Sequence, residues 1–430
     1  MEQQGLPEDV VAEVLGRVQA PRSLAWARCV CKSWRAIVDS RRLLRADLLP
    51  LSLAGVFVEF DFHMLDDWVT ELFFSRSPAA ATTTNAAVSG DLTYAPGFNV
   101  VGHCNGLLLL AGGCVANPTT RQWARLPEQP PPPRRVDSYD GRPDYWERPY
   151  LAFNPAVSPQ HYEVVLVPVV LGSFPRHLEE DDTTPETTEW PPALYETRAF
   201  SSATGRWEER SFIREGDPAG TMAYMRRDRD FGFHDMHNAV YWRGALYVHG
   251  QMNFVYKFSL ANGTYRVIRP PAGLVPPPPD AITRQQVYLG SLNHGVSCAA
   301  VDDFFKLRVW TLDELSDPPA AASHSNEWVL KHQNDLRRIV LPSPAVQDDD
   351  KEFLTLLGFH PFQDIVFFNI SLQRGLAYDL GTSTVQDLGD MCPKDYGCAM
   401  HYAEIRASFP YTLFWMHNSL PTAHANDAQS

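Results

Sequence analysis

Apolar positions recur at helical spacing in the opening segment of this chain and at alternating, strand-like spacing beyond it. Behind Leu6-Pro7-Glu8-Asp9, where a proline and two acids suit the first turn of a helix, Val10, Val11, Val14, Leu15 and Val18 return at three- and four-residue steps. A break at Gln19-Ala20-Pro21 precedes a second segment with Leu24, Trp26, Ala27 and Val30, and a third runs through Trp34, Ile37 and Val38. The pattern predicts a small three-helix module over residues 1–46, with Val11, Leu15 and Ile37 in its core. A bundle of that size cannot bury all of its apolar surface alone, so a neighbour is expected to cover part of it.

From Leu51 onward, short β-type runs are punctuated by Gly, Asn and Pro. Ala239–Trp242 and Ala245–Val248 flank Arg243-Gly244, and Phe254–Phe258 and Tyr265–Ile268 flank Asn262-Gly263; both read as hairpins with turn residues that tolerate positive φ. A polar turn followed by an aromatic or β-branched residue appears at Asn117–Trp123, Ser202–Trp207, Ala261–Tyr265, Ser325–Trp328 and Gly381–Val385. Trp207, Tyr265, Trp328 and Val385 are 58, 63 and 57 positions apart, while the gap from Trp123 to Trp207 is 84, lengthened by the Pro/Arg-rich stretch Glu128–Arg148. A four-stranded unit at that period predicts an all-β propeller of about six blades over residues 51–416. The flanking runs Val56–Phe60 and Tyr411–Trp415 are expected to close the ring, Trp123, Trp207 and Trp328 to pack between blades, and residues 417–430 to form a disordered tail. The whole chain is therefore expected to be multidomain, α plus all-β.

Charge separates the two parts. The chain carries 37 Lys+Arg and 51 Asp+Glu, net −14. Residues 1–50 hold 8 basic and 6 acidic residues, net +2, which leaves −16 for the remainder. That acidity excludes a surface that coats nucleic acid. The longest mainly apolar stretch, Leu48–Val58, is far shorter than the roughly 20 residues a membrane helix needs. Met1-Glu2-Gln3-Gln4 has neither the basic nor the apolar region of a secretion signal. A cytoplasmic or nuclear protein is expected, with no membrane or nucleic-acid partner. The 7 cysteines, an odd count, read as free thiols, and proline clusters at Pro130–Pro133 and Pro276–Pro279 read as extended connectors.

Catalytic patterns are lacking: there is no Gly-x-Ser-x-Gly elbow, no phosphate loop, no dinucleotide fingerprint and no paired-cysteine array able to build a RING. No enzyme activity, metal or cofactor is expected. Cys29 and Cys31 lie on different faces of a helix, and Cys392, Cys398 and His401 offer three ligands without a fourth. His234, Asp235 and His237 read as turn residues before a strand, and the acidic runs Glu179–Asp182 and Asp348–Asp350 as solvated loops. Irregular segments 128–148, 173–193 and 313–326 are where partner specificity is expected, with no substrate-binding residue readable in them.

Leu6-Pro7-Glu8-Asp9-Val10-Val11, Val14-Leu15, Arg17-Val18, Pro21, Ser23-Leu24 and Arg28-Cys29-Val30-Cys31-Lys32-Ser33-Trp34-Arg35 resemble the F-box motif in order and spacing, from Leu6 to about Asp39. The resemblance implies a three-helix module that docks on the Skp-family adaptor of an SCF-type cullin-RING ubiquitin ligase. Carried over position by position, Leu6, Pro7, Val10, Val14, Pro21, Leu24, Val30, Lys32 and Trp34 match the adaptor contact surface. Val10 and Val14 replace the usual Leu or Ile, which reduces apolar contact area, and Trp26 is bulkier than expected. The positive charge of this part favours an acidic partner surface.

Further along, Gly102-His103-Cys104-Asn105-Gly106-Leu107-Leu108-Leu109-Leu110 and Asn117-Pro118-Thr119-Thr120-Arg121-Gln122-Trp123-Ala124-Arg125-Leu126-Pro127 resemble the opening blade of plant F-box-associated, kelch-like domains. That resemblance implies a substrate-receptor subunit whose propeller recruits a target protein for ubiquitination. Asn105-Gly106 and Asn117-Pro118 themselves read first as turn chemistry. Two other readings stay open: a non-catalytic propeller scaffold or adaptor-binding protein acting outside a ligase, and a propeller enzyme with a central-channel site.

Overall fold

A computed structural model of the chain describes residues 7–18, 23–24, 27, 30–41, 43, 53–62, 69–74, 91–130, 145–170, 187–228, 238–274, 285–293, 295–313, 328–340, 352–391, 403–415 and 420. In the N-terminal module, α1 (Glu8–Gly16) and α2 (Lys32–Ser40) are helices, and Ser23, Leu24, Ala27 and Val30 between them are also helical. Pro7 caps α1: its carbonyl accepts the amides of Val10 and Val11 at 3.0 and 3.1 Å, and its missing N–H costs nothing at that position. Glu8 and Asp9 then meet the positive end of the helix dipole. Val11 and Leu15 pack with Leu24, Ala27, Ile37 and Val38 in one buried cluster.

The remainder is β-sheet, its strands numbered along the chain. β3 (Phe98–Cys104), β4 (Leu107–Ala111), β5 (Cys114–Asn117) and β6 (Gln122–Arg125) form one four-stranded antiparallel sheet. β7 (Tyr145–Phe153), β8 (Tyr162–Val170), β10 (Leu194–Ser201) and β11 (Arg206–Glu215) form the next. β13 (Ala239–Trp242), β14 (Ala245–His249), β15 (Val255–Ser259) and β16 (Thr264–Ile268) form a third, joined to the second where β11 and β16 run parallel from Ile213↔Thr264 to Glu215↔Arg266. β17 (Gln286–Leu292), β18 (Gly295–Val301), β19 (Lys306–Leu312) and β20 (Trp328–Asp335) follow, then β21 (Leu354–Phe359), β22 (Ile365–Ile370), β23 (Arg374–Asp379) and β24 (Thr384–Asp390). β9 (Glu189–Trp190) and β12 (Gly220–Thr221) make a small accessory pair beside α3 (Met222–Arg226), and α4 (Arg337–Val340) follows β20.

Closure joins the ends of this region. β1 (Leu53–Phe62) pairs antiparallel with β25 (Ala403–Thr412), from Leu53↔Thr412 to Phe62↔Ala403, and on its other edge with β2 (Val69–Phe74). The innermost strands β25, β3, β7, β13, β17 and β21 neighbour one another in that order, and β21 returns to β25. The fold is propeller-like. Its closing strand begins earlier than the expected Tyr411–Trp415, because Pro410, opposite Val56, breaks the run of good strand formers that the sequence reading followed. The core also extends past the expected boundary at 416: Leu420, placed in the tail by sequence, is 1% exposed and packs with Leu107, Phe153 and Phe414.

Radial packing explains why four leucines stand in a row in β4. Alternate side chains of a strand point to opposite faces, so Leu107 and Leu109 pack against Leu151, Phe153 and Val164 of the following sheet. Leu108 and Leu110 pack against Phe57 and Phe409 of the closing sheet. Each sheet has a neighbour on both faces, and strict apolar-polar alternation is lost. The described turns that the sequence period picked out all join the third strand of a sheet to its fourth: Asn117↔Gln122, Ser201↔Arg206, Ser259↔Thr264 and Asp379↔Thr384. Trp328 opens the fourth strand of its sheet as well, opposite Leu312, while Ser325–Glu327 lie outside the described residues.

Candidate docking surface

Helical periodicity divides the valines of α1 between two environments. Val11 is 7% exposed and Leu15 3%, whereas Val10 is 42% and Val14 54% exposed. Val10 and Val14 are one turn apart, and Pro7 precedes them by a further three residues, so an apolar strip runs along the face turned from the module's core. Val30 is 63% exposed, Lys32 is exposed and Trp34 half-buried beside it in sequence. An exposed ion pair, Arg41 Nη2 to Asp9 Oδ1 at 3.0 Å, links the end of α2 to the start of α1. One expected contact residue falls elsewhere: Leu24 is 1% exposed and belongs to the buried cluster, because the helical segment that carries it turns that side toward Leu15 and Ile37. Leu6 and Pro21 lie outside the described residues.

Residues 4–46 match the F-box domain family. The N-terminal module is an F-box domain. No curated protein matches the chain. Among solved structures, the β-propeller domain of Cps50 (Swd1) from Myceliophteria thermophila is similar at 11% identity, covering 67% of this chain and 71% of that one, with a TM-score of 0.32. YCF48 from Cyanidioschyzon merolae is similar at 11% identity over 79% of this chain and 86% of that one, with a TM-score of 0.26. Likenesses of that size leave the ring to be described from its own strands.

Downstream of the F-box, the two motifs of the first sheet converge on the C-terminal segment. Asn105 and Gly106 make the tight turn between β3 and β4 with φ of 46° and 88°, and Asn105 Nδ2 donates to the Phe153 carbonyl at 2.7 Å. Asn117, fully buried, donates to the Phe414 carbonyl at 3.0 Å, and its Oδ1 accepts the Thr119 amide at 3.0 Å. Thr119 Oγ1 accepts the Phe414 amide at 3.1 Å and lies 2.8 Å from the Tyr411 hydroxyl. Turn chemistry is therefore half of what these residues do; the other half is to latch the end of the chain onto the first sheet. Gly106→Ala and Gly112→Ala form a matched pair, since both sites have φ of 88°. A Cβ at Gly112 meets nothing within 4 Å, whereas one at Gly106 stands 2.4 Å from Phe414 Cβ. Gly112→Ala is expected to cost about 1 to 2 kcal/mol of backbone strain, and Gly106→Ala clearly more, in denaturant unfolding. Equal costs would mean the latch is not tight.

Titratable groups in these sheets are desolvated. Burial pushes the Cys104 and Cys298 thiols up to about 12, which leaves them unreactive. His103, edge-on to the Phe409 ring at 5.8 Å, is lowered from 6.5 to about 4 by burial. The folded chain holds this imidazole neutral. Its contribution to stability is whole above pH 6.5 and drains as pH falls toward 4, by at most about 3 kcal/mol. Urea midpoints at pH 7 and pH 4.5 should separate further in the wild-type chain than in His103→Gln; identical separations would contradict the assignment.

The tryptophans behave as inter-sheet ties. Trp207 Nε1 donates to the Pro127 carbonyl at 3.0 Å and Trp328 Nε1 to the Arg269 carbonyl at 2.9 Å, each reaching from the start of a fourth strand to the end of the preceding sheet. Trp123 is half-buried and packs against the closing sheet's cluster. Among the described residues no group of three or more His, Cys, Asp or Glu side chains is placed to hold a metal, and no helix is long and apolar enough to cross a membrane. Cys29, Cys392, Cys398, His401, His234, Asp235, His237 and both acidic runs lie outside the described residues. Residues 131–144, 173–186 and 314–326 of the three irregular segments lie outside the described residues; by strand order the strand ends that flank the first two stand on one face of the ring and those that flank the third on the other.

A cavity of about 580 Å³ went unread in the sequence. It opens between the closing sheet and the first two sheets, lined by Val101 of β3, Gly112 after β4, Pro127 after β6, Arg148 of β7, Trp207 of β11 and Arg406 of β25. The β-bulges that aim some of these residues leave no signature in a single sequence.

Proposed function

We propose that this protein is a substrate-receptor subunit of an SCF-type cullin-RING ubiquitin ligase. The F-box match over residues 4–46, with Val10, Val14 and Val30 standing exposed on that module, is the observation that carries the reading. The F-box, read as three helices, docks on a Skp-family adaptor through Leu6, Pro7, Val10, Val14, Pro21, Val30, Lys32 and Trp34, with Leu24 supporting that surface from beneath. The β domain, read as about six blades of the kelch-like, F-box-associated type found in plants, holds a target protein. Catalysis is by proximity: the adaptor and cullin bring a ubiquitin-charged enzyme to a target whose lysines are held within reach, so effective concentration replaces any chemistry on this chain. The compartment that fits is the cytoplasm or nucleus.

Co-purification decides the matter. The tagged full-length chain, expressed with adaptor, cullin and RING subunit, is expected to elute with all three and to carry ubiquitin chains onto bound protein. Recovery of the adaptor without the cullin would favour the scaffold reading instead.

A further inference from the structure

We infer that Lys331 is the residue of this chain onto which ubiquitin is transferred when the ligase modifies its own receptor; this rests on the receptor reading above. Proximity does not distinguish owner from target: an amine on the receptor stands near the charged enzyme at the same high effective concentration as one on a bound protein. This chain offers few such amines. Lys32, Lys257, Lys306, Lys331, Lys351 and Lys394 are 6 of its 37 basic residues, and residues 33–256 hold none. Arginine supplies the positive charge of the closing sheet and of the first two four-stranded sheets, and a guanidinium, which stays protonated, cannot attack a thioester.

The lysines differ in their surroundings. Lys32 lies on the surface assigned to the adaptor. Lys257 is half-buried, its Nζ 5.3 Å from the centre of the Tyr247 ring. Lys306 is half-buried too, in a turn where the Asp302 carboxylate accepts its amide at 3.0 Å. Lys351 and Lys394 lie outside the described residues; in sequence Asp348–Asp350 run directly into the first and Asp395 follows the second, so acids compete for both ammonium groups. Lys331 is exposed, has no Asp or Glu within three positions on either side, and makes no ion pair or hydrogen bond through its ammonium group among the described residues.

Local backbone explains that exposure. Val309 of β19 faces His332 of β20 and Trp310 faces Leu330, so Lys331 is an extra residue in the ladder. Trp328 packs with Tyr247 and Ile268 of the third sheet, while His332 Nε2 and Asn334 Nδ2 meet the Tyr378 hydroxyl of the fifth sheet at 3.0 and 2.7 Å. Those partners flank β20 on opposite faces, although positions 328 and 332 would share a face in a regular strand. One inserted residue makes the switch, and Lys331 is that residue. β20 is the last strand of its sheet, and Val329 and Leu330 beside the lysine are 40% and 49% exposed. A bulge and a lysine also guard an open edge against pairing with another chain, a role met by the same outward amine.

The transfer balances without a redox partner. The deprotonated Nζ of Lys331 attacks the thioester carbonyl at the ubiquitin C-terminus, an N–C bond forms as the C–S bond breaks, and the enzyme's sulfur leaves as a thiolate that takes up the proton lost by the amine.

The test assembles the full-length chain with adaptor, cullin, RING subunit and a ubiquitin-charged enzyme, with no target added. Mass spectrometry of tryptic peptides then measures the glycyl-glycine remnant on each lysine. Lys331 is expected to carry most of it, and Lys331→Arg to lower total self-modification at least fivefold, while Lys306→Arg leaves it at the wild-type level. Arginine keeps the charge, and an unfolding curve on the same variant separates loss of the amine from loss of fold. The quadruple variant Lys257→Arg, Lys306→Arg, Lys351→Arg and Lys394→Arg gives an independent reading: it should be modified at close to the wild-type rate. Remnants spread evenly, concentrated on another lysine or absent from an assembled ligase overturn the inference and leave the receptor reading standing. A wild-type chain that fails to assemble with adaptor and cullin sinks both, and the missing subunits tell that failure from the first.

Discussion

Val10→Asp combined with Val14→Asp is expected to weaken capture of a Skp-family adaptor at least a hundredfold while leaving the unfolding transition of the β domain where it was. Both valines stand on the exposed strip of α1, 42% and 54% accessible, and neither belongs to the cluster formed by Val11, Leu15, Ile37 and Val38. The F-box should therefore keep its fold. An interface that covers this strip must strip water from two carboxylates with nothing of opposite charge on α1 arranged to meet them, a cost of several kcal/mol. A hundredfold is about 2.8 kcal/mol, so the expected loss is conservative. Alanine at both sites removes area alone and should cost roughly tenfold. Adaptor binding by the double aspartate variant at wild-type affinity, with the helical signal intact, would remove α1 from the interface.

The second large effect belongs to the latch. Phe414→Ala is expected to destabilise the ring by about 3 to 5 kcal/mol, the range for emptying a fully buried phenylalanine site. Phe414 is fully buried, its ring lies edge-on to Phe153 at 5.0 Å, and it packs with Leu107, Val115 and Leu420. Asn117→Ala, which leaves the Phe414 carbonyl without its side-chain donor, should cost about 1 to 3 kcal/mol. The two share a contact, so their costs are not expected to add. Denaturant unfolding of both single variants and the double measures this, and a Phe414→Ala chain within 1 kcal/mol of wild type would mean the C-terminal segment contributes little to closure.

Legibility in the sequence followed the reach of each interaction. Periodicity, which is local, made the helix itself readable and put Val11 and Leu15 in its core, whereas Val10 and Val14 were placed on the contact surface only by the F-box resemblance. Third-to-fourth-strand turns were readable for the same reason, since Asn-Gly and Thr-Gly steps announce their geometry within a few residues. What escaped depends on partners far along the chain. Asn117 looks like a turn residue until Phe414 arrives some three hundred positions later to take its amide. Leu420 looks like tail until the pocket made by Leu107 and Phe153 is assembled. Pro410 lies inside β25, and its partner Val56 lies near the opposite end of the domain. Asn99, Val101 and Arg406 leave their ladders through bulges, and no composition or spacing marks those. Leu24 shows the limit of carrying a motif over by position: motif order says nothing about which way a helix is rolled.

Because β1 finds its partner in β25, synthesis imposes a schedule. The F-box leaves the ribosome before the ring, and its buried cluster is drawn from residues 11–38 alone. The ring must wait, with one edge of β1 open, until residues 403–420 have emerged. During that interval a growing polypeptide carries an F-box joined to an open β domain, and a message cut short before residue 403 yields an F-box without a closed ring.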